Sequence, residues 1–191
     1  MKKFFFISLL SLLIIGCDIL NTREPEQPDT GRKTYLPATT PDILFLNLKN
    51  SLKEKVLENY MACFVDNAFI SVPFFFRASP EAVAAYPVLA DWDLSGEQQY
   101  FNNLSVNTRA DTPIILTLQN EIKNTMGDSA NYQYDYIISL TPIGDKLHKT
   151  YKGNLEFTIY LDSRNQWSIA RWVDHKIGNN PSWSELKGTL Y

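Results

Sequence analysis

Hydrophobic and polar residues alternate with a period of two through most of the C-terminal part of the chain. Four such runs cover about residues 112–125, 131–141, 148–161 and 166–176. In the third run one face carries Tyr151, Leu155, Phe157, Ile159 and Leu161, and the other carries Lys152, Asn154, Glu156 and Thr158. Such alternation is typical of strands with one buried face and one wetter face. Turn-rich links between the runs predict that neighbouring strands are antiparallel.

Residues with helical spacing precede the strands. Thr40-Pro41-Asp42 combines a capping side chain, a proline at the first helical position and an acid in the first turn, which predicts a helix at about 41–50. Ser51 and Glu54 have the spacing of a capping box, which predicts a second helix at about 52–64. The chain therefore begins its folded part with two helices.

Three shorter elements complete the pattern. Residues 68–76 are rich in aromatic and β-branched side chains, but Pro73 limits them to an edge or bulged strand. Ser95 begins a second capping box and predicts a helix within the stretch 79–105. Ser182 and Gly188 are typical start and stop residues, so we expect a short terminal helix at 182–188.

Helices followed by a meander of long strands predict an α+β fold, with N-terminal helices packed on a strongly curved antiparallel sheet. This order of elements resembles the nuclear transport factor 2-like (SnoaL-like) cone fold over about residues 42–176. The pattern W-x-I-x-x-W-x-D, from Trp167 to Asp174, is similar to the tail of many uncharacterised cone-fold proteins. The resemblance implies a concave pocket at the mouth of the cone. Ketosteroid isomerase and scytalone dehydratase have this fold, but the family shares no linear catalytic motif, so the catalytic residues stay unknown.

The N-terminus carries a separate signal. Lys2 and Lys3 precede an apolar run that would span about 18 Å as a helix, well short of the roughly 30 Å hydrocarbon core of a bilayer. A basic start and a short apolar run predict a signal peptide at residues 1–16. Gly16-Cys17 ends a stretch that resembles the lipobox of bacterial lipoproteins. The resemblance implies lipidation of Cys17 and anchoring in the bacterial cell envelope, with the domain outside the cytoplasm.

Two questions about this signal stay open. An ordinary cleaved signal peptide, with an incidental cysteine, is the alternative to the lipoprotein interpretation. Asp18 resembles the inner-membrane retention signal of enteric bacteria, but other lineages do not use that rule, so inner and outer membrane are both open. The proline-containing, polar residues after Cys17 predict a flexible linker over 17–40, followed by a single domain at 41–191. Packing of Thr34-Tyr35-Leu36-Pro37 against the domain is an alternative for that part of the linker.

Charge and cysteine content exclude several classes of protein. Without Lys2 and Lys3 the chain has 16 basic and 21 acidic side chains, a net charge of −5, which argues against nucleic acid as a partner. Cys63 is then the only thiol besides Cys17, and its apolar surroundings favour a buried, inert cysteine. The two histidines lie 27 residues apart, so the sequence predicts no metal site. No cofactor is predicted either.

The candidate pocket residues come from the second and fourth strands. They are Tyr134, Tyr136, Arg171, Trp172 and Asp174. An apolar wall would raise the pKa of a carboxylate among them and suit it to proton transfer. The alternatives are a tyrosine row that forms part of the core, and an Arg171–Asp174 pair on the surface. Asp135 alternates with the tyrosines and should face away from them.

Three functional hypotheses follow. The first is a membrane-anchored, non-catalytic binding module that takes a small apolar ligand or an envelope protein in its concave pocket. The second is an isomerase, dehydratase or hydrolase that works through one carboxylate and one tyrosine. The third is an assembly factor that forms a homodimer through the outer sheet face, which carries Lys152, Asn154, Glu156 and Thr158.

Overall fold

A computed structural model describes residues 34–191. The signal peptide at 1–16, the lipidation of Cys17 and residues 17–33 of the linker lie outside the described residues. The helices are α1 (Pro41–Glu54), α2 (Leu57–Met61), α3 (Pro80–Ala85), α4 (Leu94–Val106) and α5 (Trp183–Leu190), with a 3-10 helix at Pro87–Asp91 between α3 and α4. The strands are β1 (Phe75–Arg77), β2 (Ile115–Met126), β3 (Ser129–Ser139), β4 (Thr150–Leu161) and β5 (Trp167–Lys176).

The five strands form one sheet in the order β1-β5-β4-β3-β2. Strands β2 to β5 are an antiparallel meander, as the alternating pattern predicts, and β1 adds to the edge of β5 in parallel. The α+β prediction is therefore confirmed, with an open, curved sheet covered by helices on one face. The covered face is built mainly from alternate residues of three strands, which are Tyr132, Tyr134, Tyr136, Leu155, Phe157, Ile159 and Trp172.

Helices from both ends of the chain cover this face. From α1, Phe45 packs edge-on against Tyr132 and Tyr134, with ring centroids 4.9 and 5.4 Å apart. From α5, Trp183 packs edge-on against Trp172 at 4.5 Å. The interior between the helices and the sheet is thus filled largely with aromatic rings.

Several helix boundaries differ from the prediction. α1 continues to Glu54 and ends at Lys55, which has left-handed backbone angles. Ser51 does not begin a second helix, because it is buried within α1 and its hydroxyl donates to the carbonyl of Leu48 at 2.8 Å. The second helix is consequently only the five residues Leu57–Met61. α4 begins after Asp93, which accepts a hydrogen bond from the amide of Gly96, rather than at Ser95.

Two other elements also differ in length. The strand expected at 68–76 contains only Phe75–Arg77, whereas Phe64 and Val65, before it, pair in parallel with the start of β5. The terminal helix starts after Ser182 as predicted, but it passes through Gly188 and ends at Leu190. Gly188 allows the Tyr86 ring to pack closely against the helix, since a Cβ atom at this position would lie 2.3 Å from that ring.

Residues 34–40 pack against the domain, which corrects the linker prediction for this part. The amide of Leu36 donates to Asn47 Oδ1 at 3.1 Å, and Asn47 Nδ2 donates back to the Leu36 carbonyl at 2.6 Å. The carbonyl of Ala38, a buried residue, accepts from the amide of Trp167 at 2.7 Å. The described domain therefore includes residues from Thr34 onward. Within residues 34–191, no helix has both the length and the apolar character needed to cross a membrane.

Candidate functional site

The five candidate pocket residues do not share one cavity. Tyr136, Trp172 and Asp174 are buried between the sheet and α5, and they line neither of the two openings described below. Arg171 lies on the opposite, outer face, where its guanidinium is 5.9 Å from the ring centroid of Phe75. Of the five, only Tyr134 reaches an opening.

Asp174 is a structural carboxylate in the interior. Its Oδ1 accepts from the Tyr136 hydroxyl at 2.7 Å, and its Oδ2 accepts from the Ser184 amide at 2.8 Å and hydroxyl at 2.5 Å. The suggested surface pair with Arg171 is therefore wrong. Burial raises the pKa of Asp174, although the Ser184 and Tyr136 hydrogen bonds oppose the rise. Because each oxygen accepts a hydrogen bond and the side chain is buried, it fastens α5 to the sheet.

Sequence reasoning missed a second buried charge, the pair of Glu97 on α4 and Lys187 on α5. Both side chains are fully buried and form an ion pair. Glu97 also accepts from the Tyr60 hydroxyl at 2.9 Å and the Trp92 indole at 2.8 Å. Spacing offered one signal, since Lys187 lies four residues after Trp183 and so shares its face of the helix.

The Lys187 ammonium is surrounded by aromatic rings. It lies 3.6 Å from the ring centroid of Trp172 and 3.8 Å from that of Phe76, close enough for cation–π attraction. Burial lowers the pKa of Lys187 to about 8, although Glu97 acts in the opposite direction. The space around the Lys187 ammonium is thus filled by its ion pair with Glu97 and by aromatic rings, and the Trp172 indole N–H is buried there without a hydrogen-bond partner among the described residues.

The larger opening has a volume of about 550 Å³ and lies beside α2. We call it the α2 groove; its wall includes Tyr35, Glu58, Ala62, Phe64, Asp66 and Arg164. Its floor is anchored to the sheet, since the Val65 amide donates to the Ile169 carbonyl at 3.0 Å and the Ile169 amide donates to the Cys63 carbonyl at 2.9 Å. Burial raises the pKa of the Cys63 thiol, in agreement with an inert packing role.

One end of the α2 groove is formed by the turn between β4 and β5. Arg164 stacks over the Phe69 ring at 3.6 Å and donates to Asp162 from Nε at 2.9 Å and from Nη2 at 2.6 Å. Burial alone would raise the pKa of Asp162, but Arg164 and the amide of Gln166 lower it overall. The guanidinium is therefore held in place and its charge is balanced by Asp162.

A second opening, of about 280 Å³, lies between α1 and a β-bulge in β2. We call it the bulge cleft; it is lined by Asp42, Phe45, Lys49, Leu118, Glu121 and Tyr134, among others. At the bulge, Asn120 has a left-handed φ of 56°. The extra residue changes which face the following side chains occupy, and the Tyr134 hydroxyl donates to Glu121 Oε2 at 2.6 Å.

In the bulge cleft, Glu121 and Tyr134 both keep their ordinary protonation states at neutral pH. The hydrogen bond from Tyr134 and the neighbouring Lys123 lower the pKa of Glu121. Burial and the Glu121 carboxylate raise the pKa of Tyr134. The pair thus presents a charged carboxylate and a protonated phenol, which can bind polar groups of a ligand.

The outer sheet face is polar. Asp135 lies there, as the alternation predicts, and accepts from Asn120 at 2.6 Å and Asn154 at 3.2 Å. His175 is also on this face, 3.2 Å from Glu156, while His148 is exposed just before β4. The homodimer predicted for this face stays a prediction. Among residues 34–191, no group of three or more His, Cys, Asp or Glu side chains is placed to hold a metal ion.

Comparisons with known proteins bear on the fold. A proposed scytalone dehydratase from Novosphingobium aromaticivorans has a TM-score of 0.53 and 10% identity, over 74% of this chain and 89% of that one. A proposed dehydratase of the nuclear transport factor 2-like family from Streptomyces avermitilis has a TM-score of 0.52 and 8% identity, over 74% and 96%. A Mycobacterium tuberculosis protein of unknown function has a TM-score of 0.51 and 12% identity, over 78% of this chain and 81% of that one.

No protein-family model matches the chain, and no curated protein sequence matches it. At these identities the structural likeness establishes the fold alone. Residues 34–191 have the nuclear transport factor 2-like cone fold predicted from the order of elements.

Proposed function

We propose that this chain is a lipid-anchored envelope protein whose cone-fold domain is a non-catalytic binding module, with the α2 groove as its ligand site. The anchor rests on the lipobox resemblance at Gly16-Cys17. Two or more acyl chains on Cys17 would hold the protein firmly, at about 0.8 kcal/mol per buried methylene. Seventeen peptide steps separate Cys17 from Thr34, so the domain would stay within about 60 Å of its anchor.

The observation that carries the binding role is the contrast between the interior and the groove. The fully buried carboxylates, Asp174 and Glu97, are bonded to protein groups and line neither opening. The α2 groove is open, and its volume of about 550 Å³ lies within the range of small-molecule sites. A domain with this arrangement is suited to hold a ligand rather than to transfer a proton to it.

Native mass spectrometry tests the binding role. We would use the chain from residue 17 with Cys17→Ser, purified from a bacterial host, and expect a bound mass of roughly a few hundred daltons. Ala62→Trp should remove it, because Ala62 is exposed in the groove and its backbone is ordinary right-handed helix, which accepts a large side chain. Ala84→Trp, exposed on α3 and outside both openings, is the matched control. A mass that persists in Ala62→Trp contradicts the groove as the site.

The anchor has a separate test. We expect the full chain to take up labelled palmitate in a bacterial host and to fractionate with membranes. Cys17→Ser should abolish both, because the thiol is the acceptor of the diacylglycerol group in the proposed modification. Labelling that survives in Cys17→Ser would exclude the lipoprotein interpretation while leaving the groove proposal untouched.

A second candidate function is an enzyme that works in the bulge cleft. The 2.6 Å bond between Tyr134 and Glu121 favours it, because it supplies the one carboxylate and one tyrosine that such a mechanism needs. The lowered pKa of Glu121 makes it a weaker base than an ordinary glutamate, which favours binding over catalysis. To distinguish catalysis from binding, a ligand recovered from the protein is incubated with it in heavy water, and the mass of the ligand is measured. Catalysis predicts a change in its mass that Glu121→Gln abolishes, and binding predicts none.

A further inference from the structure

We propose that the α2 groove takes a small organic cation that carries an apolar body. This inference rests on the proposed function, which makes the groove the ligand site, and it adds the charge class of the ligand. It depends on three features of the groove, which are the balance of charges on its wall, the aromatic and aliphatic side chains that share this wall, and the fixed positions of Tyr35 and Phe64.

The charges on the wall are unequal. Glu58 and Asp66 are both exposed in the groove, and neither forms an ion pair within the described residues 34–191. Asp66 Oδ1 accepts from the Ala68 amide at 2.9 Å, and its Oδ2 receives no hydrogen bond from the part of the chain that the structure describes. Arg164 is the one cation on the wall among these residues, and Asp162 already balances it through two hydrogen bonds. The groove therefore presents an excess of negative charge.

Apolar side chains share the groove wall with these carboxylates. Met61, Phe64 and Leu94 line the groove together with the ring of Tyr35. A cation near an aromatic face gains electrostatic attraction in addition to its attraction to the carboxylates. A ligand with an ammonium group and an apolar body would therefore match both parts of the wall.

Two aromatic side chains of the wall are held in place before a ligand arrives. The Tyr35 hydroxyl donates to the Ala62 carbonyl at 3.1 Å, which ties residue 35 to the end of α2. The Phe64 ring is held edge-on between Tyr60 and Phe74, at 5.1 and 5.2 Å. These two side chains then lose little freedom on binding, which favours affinity. An anionic ligand would meet two carboxylates and no unbalanced cation on the described wall, and a neutral one would bury these carboxylates without a partner.

The experiment compares three probes that share one aromatic body. Phenethylammonium, phenylacetamide and 3-phenylpropionate are titrated into the ¹⁵N-labelled chain from residue 17 with Cys17→Ser, and amide shifts are followed. We expect the ammonium to perturb the amides of Ala62, Asn67 and Gln166 and to bind at least about tenfold more tightly than the amide probe. Salt should weaken the ammonium complex, because the carboxylates are exposed.

Paired variants test whether the charges are responsible. Glu58→Gln with Asp66→Asn should bring the ammonium and the amide probe within about twofold of each other. Glu81→Gln with Asp91→Asn removes the same net charge from exposed positions outside the groove and should leave the preference unchanged. Equal binding of ammonium and amide in the unmodified groove, or tightest binding of the carboxylate, overturns the charge class while the groove remains a binding site. No perturbation of groove amides by any probe overturns the proposed function as well.

Discussion

The buried pair of Glu97 and Lys187 supports a prediction about stability. In Lys187→Met the ammonium is lost, and among residues 34–191 the Glu97 carboxylate keeps two donors, the Tyr60 hydroxyl and the Trp92 indole. Removing one partner of a fully buried ion pair costs about 3–5 kcal/mol, since the other charge stays buried without compensation. For a domain of this size the cost corresponds to a fall in Tm of roughly 6–20 °C.

The assay is urea unfolding followed by tryptophan fluorescence, with thermal unfolding as a second measurement. Glu97→Gln combined with Lys187→Met should recover at least half of the loss, because the second change removes the uncompensated charge and keeps a carbonyl oxygen for Tyr60 or Trp92. Lys123→Met, the same substitution in an exposed ion pair with Glu121, is the control and should leave the Tm unchanged within error.

A pH series distinguishes the buried charge from a simple loss of packing. In Lys187→Met the Glu97 carboxylate stays buried without its cation, so the cost of the substitution depends on that carboxylate being charged. The difference in the free energy of unfolding between wild type and variant should therefore be smaller in acid than at neutral pH. A difference below about 1 kcal/mol at neutral pH, in the range of surface pairs, would refute the reasoning.

Three further predictions concern the core. Gly153→Ala should destabilise the domain by about 1–3 kcal/mol in urea unfolding, because its Cβ would lie 2.5 Å from the Tyr136 hydroxyl and 2.6 Å from the His175 carbonyl; unchanged stability would contradict this packing. Cys63 should react with iodoacetamide only after unfolding, since burial raises the pKa of its thiol; rapid alkylation of the native protein would contradict its burial. Lys187 has a folded pKa of about 8 against 10.5 unfolded, so the unfolded chain binds more protons between these values. The free energy that Lys187 contributes to stability should therefore rise with pH across that window, by up to about 1.4 kcal/mol per pH unit. It is measured as the free energy of unfolding of the wild type minus that of the double variant, Glu97→Gln with Lys187→Met. A difference that does not change with pH would contradict this prediction.

The strands could be predicted because each has one buried face. In β3 and β4 the alternation follows burial almost residue by residue, and it correctly turned Asp135 outward. Helix boundaries were less accessible, because the capping-box spacing at Ser51 also suits a serine that bonds back to Leu48 within α1. Local sequence alone does not distinguish these two uses of a hydroxyl.

The buried ion pair and the two openings were harder to predict, because their residues come from distant parts of the chain and because a bulge interrupts β2. The buried partner of Lys187 lies 90 residues away on another helix, so no local pattern links it to Glu97. Glu121 follows a bulge at Asn120, and one extra residue in a strand changes the face on which later side chains lie. The inward position of Tyr134 could be predicted because β3 is regular, whereas the position of its partner, Glu121, could not. The α2 groove combines residues from distant parts of the chain, and only the folded structure brings them together.

The most direct test of the account is a crystal structure of the chain with Cys17→Ser, purified with whatever small molecule it carries. We predict non-protein electron density in the α2 groove, between Tyr35 and Arg164, with a positively charged group facing Glu58 or Asp66. Density in the bulge cleft beside Tyr134 and Glu121, with an empty groove, would contradict the proposed site and favour the enzyme. Density that enters the interior by displacing α5 from Asp174 would contradict the sealed core on which the binding role rests.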